Sequence, residues 1–427
     1  MAQTSLPRAE GGQQTRSLAN GVTLLTERLP YVRSVSLGVW IKTGSACELP
    51  HLTGISHFLE HLFFKGTSTR TTRQLMEAIE SRGGHLNAYT SRDYTCVYAK
   101  TLDTHLATAA EILGDIICDS QFFDFEKERN VVLEEIASNE DVPEDYIHDL
   151  FVSDLFPKHS LGAPVSGTHK SVSGITLEDV RAHYARWYHP QNMVISVAGN
   201  LDADEALDLI EKAFAPLKPG NTPVVPAYDA PTFGTGIDAC RRKIAQSHYC
   251  IGFPGPATDD PVRFVYDILG NALGGGSTSR LFERIREQEG LSYAIYTFQS
   301  AYYRAGLLGV YAAVAPENLD RALSMTFEEI RRIRDERISS EEVGLNREQL
   351  KGSLLMALED TFHRMSRMAK SYMYHGRVVP LEEVIAKIDA VTSEEVHELA
   401  NAILQAQSCM LTVLGPKNAL HLKEIPL

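Results

Sequence analysis

Paired cysteines are missing from this chain. The six that occur, Cys47, Cys96, Cys118, Cys240, Cys250 and Cys409, are scattered, and no two form a C-x-x-C motif. Usage this sparse excludes a disulfide framework and predicts buried free thiols in a reducing compartment. Long apolar runs are missing as well, since no stretch approaches the ~18–20 residues that a membrane helix needs. The opening residues, MAQTSLPRAEGGQQTRSLANG, lack the apolar core of about 7–15 residues that marks a secretory signal. The expectation is a cytoplasmic protein without membrane attachment. An excess of positive charge is also absent: 41 Lys and Arg stand against 55 Asp and Glu, for a formal charge of −14. Phosphate backbones need a net basic face, so nucleic acid is not an expected partner. Basic peptides suit this balance better.

What is present is an ordinary globular mixture, with 44% hydrophobic and 22% charged residues in 427. At about 100–200 residues per domain, this length predicts two or three domains, each with its own core. The richest break is the stretch 215–236, APLKPGNTPVVPAYDAPTFGTG, with prolines at 216, 219, 223, 226 and 231. Proline fixes φ and removes a donor, so neither a helix nor a central strand fits there. The expected division is an N-terminal domain over 1–216, a linker over 217–236 and a C-terminal domain over 237–427.

Apolar periodicity predicts a weakly similar order of elements in both portions. The first reads strand 35–43, helices 54–64 and 72–81, strand 88–99 and helix 104–118. The second reads strand 247–253, helices 261–272 and 279–287, strands 292–298 and 306–314, and helix 316–334. A further strand at 193–200 leads into an acid-capped helix at 202–214. Strands followed by groups of helices predict an α+β fold. It would consist of two similar sandwich-type domains, each a mostly antiparallel sheet covered by helices.

One pentapeptide carries chemistry: His57-Phe58-Leu59-Glu60-His61. At about 100° per residue, His57 and His61 fall about 40° apart on a helix, with Glu60 about 60° to the other side. All three share a face, while Phe58 and Leu59 can turn to the core. Two imidazoles one turn apart can hold one zinc ion, and the adjacent glutamate can take a proton from water. A third protein ligand is then needed. The segment 125–139, FEKERNVVLEEIASN, offers Glu128 and Glu135, seven residues apart and on one helix face to within about 20°. Either carboxylate could point at the metal; Glu134 lies about 100° from Glu135 and fits less well.

The order H-x-x-E-H followed by E-x6-E resembles the inverted zinc metallopeptidases, the group of pitrilysin, insulin-degrading enzyme and the mitochondrial processing peptidase. The likeness extends over GSACELPHLTGISHFLEHLFFKGT (44–67), LNAYTSRDYT (86–95), ERNVVLEEI (128–136) and GGGSTSRLFERIREQEGLSYAIYT (274–297), in the family's order. It implies that His57, His61 and Glu135 ligate zinc, that Glu60 is the general base, and that Glu128 supports a ligating histidine. It also implies that Arg286 and Tyr293 contact the substrate near the scissile carbonyl, and that Asn87 and Ala88 hydrogen-bond its backbone. The implied activity is zinc-dependent cleavage of internal bonds in short or unfolded peptides, held extended in a closed chamber. Family members build that chamber from four domains. Two domains therefore imply a homodimer or a heterodimer with a related subunit; a noncatalytic structural homologue is the remaining alternative.

Overall fold

The computed structural model describes residues 12–220, 228–416 and 420–427. Its first sheet contains β1 (Gln13–Ser17), β2 (Thr23–Arg28), β3 (Ser34–Ile41), β4 (His85–Thr90), β5 (Thr95–Leu102) and β6 (Met193–Gly199), in the order β1-β2-β6-β3-β5-β4. Its second contains β7 (Gly236–Arg241), β8 (Ser247–Gly255), β9 (Ser292–Ala301), β10 (Gly306–Val314) and β11 (Met410–Gly415), in the order β7-β11-β8-β10-β9. With β1 set aside, the two orders superimpose strand for strand. Each sheet has one parallel pair, β2–β6 and β7–β11, and is otherwise antiparallel. The α+β architecture of two similar domains is thus present, and the repeat extends to strand polarity.

Among the described residues, the first part of the chain carries the α-helices α1 (Ile55–Phe63), α2 (Thr72–Glu80), α3 (Leu106–Asp119), α4 (Phe125–Asp141), α5 (Pro143–Leu155), α6 (His169–Gly174), α7 (Leu177–Trp187) and α8 (Ala203–Phe214). The second part carries α9 (Arg263–Gly274), α10 (Leu319–Asp335), α11 (Ser340–Ala357), α12 (Thr361–His375), α13 (Leu381–Ala390) and α14 (Ser393–Ile403). Among the described residues, none is long and apolar enough to cross a membrane. One face of the first sheet, through Leu37, Val39 and Val97, packs on α1, α3 and α8 in a single core. The second sheet does the same with α9, α10 and α14.

The opposite sheet faces are covered by an exchange. Helix α5 packs Ile147, Phe151 and Leu155 beneath the second sheet, against Cys250, Tyr311 and Leu414. Helix α12 packs Met365, Met368 and Met373 beneath the first sheet, against Trp40, Cys96 and Val194. Burying a large apolar side chain of this kind stabilises by roughly 1.5–3 kcal/mol, so each exchanged helix ties the two halves together strongly.

Two local expectations need correction. The run 88–99 is two strands, because Ser91–Tyr94 turn the chain and the Ser91 N–H bonds the Tyr94 carbonyl at 2.8 Å. The helix expected at 279–287 is present, but over Phe282–Gln288 it is a π-helix and not an α-helix, and Gly290 at φ 61° follows it. Of the proline-rich linker, residues 221–227, with Pro223 and Pro226, lie outside the described residues.

Candidate metal centre

Helix α1 begins in an unusual way. Gly54 sits at φ 94°, where a side chain would be strained, and a Cβ there would lie 2.7 Å from the backbone of Gly167. The Gly54 and Ser56 N–H groups both donate to the buried carboxylate of Glu48, at 2.7 and 2.8 Å. Burial pushes the Glu48 carboxyl up to about 8 despite those bonds. Phe58, Leu59, Leu62 and Phe63 then anchor the helix in the core. The polar face that remains carries His57, Glu60 and His61.

The two imidazoles meet edge to face, with ring centroids 4.7 Å apart. Helix α4, anchored by Val132 and Ile136, brings Glu135 against them. Its Oε1 lies 3.5 Å from His57 Nε2 and its Oε2 lies 3.3 Å from His61 Nε2. One donor atom from each of His57, His61 and Glu135 falls within 4.8 Å of the others. Ligands at about 2.0–2.1 Å in a tetrahedron stand roughly 3.4 Å apart, so the Glu135-to-histidine distances of 3.5 and 3.3 Å are compatible with one shared zinc ion. His57 Nδ1 is buried without a hydrogen-bond partner. Burial, then His61, lowers the His57 pKa to about 4, which keeps this imidazole in the neutral form a metal needs. For His61, burial works downward, but Glu135, Glu60 and Glu128 outweigh it and raise the pKa. The Glu135 carboxyl is lowered chiefly by its bond to His61.

Glu128 takes a different position. It is 3% exposed, accepts from Lys65 Nζ at 2.7 Å, and reaches to 3.5 Å of His61 Nδ1, the nitrogen opposite the one facing Glu135. Glu60 lies on the sheet side of the histidines, where Thr90 Oγ1 donates to its Oε2 at 2.6 Å. Burial raises the Glu60 pKa, with the Thr90 bond opposing it. Thr90 ends β4, the outermost strand of the first sheet. Asn87 on that strand is exposed and Ala88 is buried, and the Ala88 N–H is covered by the Asn87 carboxamide oxygen at 2.9 Å.

Arg286 and Tyr293 lie in the second half. The Arg286 guanidinium stacks between the rings of Phe282 and Tyr293, 4.5 and 4.7 Å from their centroids. Tyr293 is 82% exposed at the start of β9. Among the described residues, no hydrogen bond or ion pair joins either to His57, His61 or Glu135. Sequence reasoning overlooked Glu48, Lys65 and Thr90. All three lie inside segments that carry the resemblance, but their contacts are tertiary.

Among the described residues, the second half carries no such donor set in the matching place. Helices α9 and α11 follow β8 and α10 as α1 and α4 follow β3 and α3. Between them, Asn271 donates to Asn346 and Gln349 at 2.7 and 3.2 Å. Amides have replaced ligands.

A duplicated sheet fold with an H-x-x-E-H helix in its first half defines an inverted zinc metallopeptidase. Residues 23–169 match the family described as insulinase (peptidase family M16), and residues 174–350 match the peptidase M16 inactive domain. An uncharacterized zinc protease of Bacillus subtilis is 38% identical over 93% of this chain and 97% of its own. Another, from Streptomyces coelicolor, is 36% identical over 95% of this chain and 90% of its own. Among solved structures, a peptidase M16 inactive domain from Pseudomonas fluorescens superposes with a TM-score of 0.89 at 19% identity, covering 97% of this chain and 100% of that one. A protease from Helicobacter pylori gives 0.88 at 20% identity, covering 95% and 100%. The chain belongs to peptidase family M16.

Proposed function

We propose that the protein is a zinc-dependent endopeptidase, with His57, His61 and Glu135 holding the ion. The observation that carries this reading is the convergence of those three side chains beside a glutamate fastened to an edge strand. Zinc bound there supplies a Lewis acid that activates water and polarises the scissile carbonyl. Glu60 takes the proton from the attacking water and passes it to the leaving nitrogen. Thr90 aims the Glu60 carboxylate, and Glu128, itself held by Lys65, orients His61 through its far nitrogen. The free edge of β4, with Asn87 and Ala88, pairs with the peptide backbone as an added strand. That mode accepts extended or unfolded peptides and reads backbone more than side chains. Arg286 and Tyr293 stabilise the developing oxyanion.

Because, among the described residues, no hydrogen bond or ion pair joins Arg286 or Tyr293 to the triad of their own chain, a homodimer with composite sites is the favoured assembly. A heterodimer with a related subunit is the alternative. The purified chain, given an unstructured fluorogenic peptide, should cleave it. Chelator should abolish that activity and zinc should restore it; an inactive zinc-loaded chain that a related subunit activates would support the heterodimer. Inactivity under both conditions would leave the noncatalytic reading.

A further inference from the structure

The β4–β5 turn and the β9–β10 turn occupy the same place in the two repeats, and in the folded chain they meet. At their junction stands Asp93, 1% exposed. Its carboxylate accepts hydrogen bonds from the Tyr228 hydroxyl, from the Tyr374 hydroxyl at 2.8 Å, and from the Tyr303 N–H at 3.1 Å. Tyr303 in turn stacks on Tyr374, with ring centroids 4.5 Å apart, and donates its hydroxyl to the Met373 carbonyl at 3.3 Å. One carboxylate thus gathers the first turn, the connection between the halves, the second turn and the end of α12.

The same turn is gripped from its other side. The carbonyls of Ser91 and Arg92 accept from the Ser45 and Ala46 N–H groups at 3.1 and 2.9 Å, and Arg92 Nε donates to the Leu161 carbonyl at 2.8 Å. Three residues before Asp93 comes Thr90, whose hydroxyl holds Glu60. No Lys or Arg forms an ion pair with Asp93 among the described residues; three neutral donors take its oxygens, and the charge of neighbouring Arg92 adds a weaker attraction. Burying a carboxylate on such terms is costly. An apolar contact would join the segments more cheaply, but only an acceptor with two oxygens can take all three donors and fix the direction of the turn.

We propose that Asp93 is a positioning residue for Glu60. By fastening the β4–β5 turn to the connection, the second turn and α12, it sets the Thr90 hydroxyl and the β4 edge along which peptide binds. The inference rests on the proteolytic reading of the site.

The test uses the zinc-loaded full chain and the variants Asp93→Asn, Thr90→Val and their double. Each single change should lower kcat about tenfold with zinc affinity within twofold. The double should be no slower than Thr90→Val alone, because both losses act through one hydroxyl. Losses that multiply, or an Asp93→Asn enzyme with lower Tm and unchanged kcat, would overturn the proposal. If Asp93→Asn does not fold, Tyr374→Phe removes one donor and carries the same comparison with a smaller loss. Should the zinc-loaded wild type cleave no peptide, alone or with a related subunit, the proteolytic reading fails by itself. Hydrogen exchange then decides the coupling: residues 85–90 must exchange faster in Asp93→Asn while α1 is unchanged, and unaltered exchange at 85–90 would end it.

Discussion

At the scale of single residues, two buried carboxylates hold the two helices of the centre, and each has a measurable consequence. Glu48 serves the N-terminus of α1, and burial raises its pKa to about 8 from an ordinary 4.5. A carboxyl raised by folding binds its proton more tightly in the native state. Its contribution is therefore complete below pH 4.5 and is lost as pH climbs through about 8. Thermal unfolding of the wild type should show Tm declining across that window. Glu48→Gln should lower Tm at every pH, because the amide cannot accept from both N–H groups, while removing most of the decline. An unchanged pH slope in the variant would refute the assignment. Lys65 makes the second case. Its ammonium is 2.7 Å from Glu128, and replacing it by Met would strand a carboxylate that is 3% exposed. Glu128 would then recoil from His61, so zinc affinity measured by chelator competition should fall roughly 10–100-fold. Affinity equal to wild type would show that Glu128 holds its place unaided. Neither residue was legible in the sequence. His57, Glu60 and His61 announce themselves through helical spacing, whereas Glu48 and Lys65 act through contacts that spacing does not encode.

At the scale of elements, the reading succeeded where one period ran uninterrupted and failed where the chain turned within an apolar run. Residues 88–99 alternate well enough to suggest one strand, and only the short Ser91-Arg92-Asp93 polar step betrays the turn that makes Thr90 a strand end. The exchange of α5 and α12 was also out of reach. Both are amphipathic, but an apolar stripe states that a helix is covered and not which sheet covers it. That packing can be probed at Gly252. A Cβ built there would meet the Phe151 ring at 2.2 Å, so the strand leaves room for α5 by lacking a side chain. Gly252→Ala should destabilise by about 1–3 kcal/mol, the ordinary cost of overpacking, seen as a lower midpoint in denaturant. Phe151→Leu in the same chain should recover part of that loss. If the two changes prove additive, the helix and strand are not in the contact described.

At the scale of the whole molecule, the residues proposed for the chemistry are divided between the two halves of the chain. The first half bears the His57, His61 and Glu135 donor set and Glu60, while Arg286 and Tyr293 stand on the second, with Tyr293 82% exposed and, among the described residues, joined to that set by no hydrogen bond or ion pair. If two chains close on each other about a two-fold axis, each supplies a triad to one site and an Arg–Tyr pair to the other. The prediction follows from counting. A Glu60→Gln chain has an intact Arg–Tyr pair, and a Tyr293→Phe chain has an intact triad and base. Random mixing makes half the dimers mixed, and each mixed dimer assembles one site from the two sound halves, so activity should return to about one quarter of wild type. Sites contained within one chain would give no recovery, because every site would then hold one of the lesions. Recovery that appears only after the subunits have had time to re-pair, and that fails when the dimers are cross-linked before mixing, would assign the composite site to the interface.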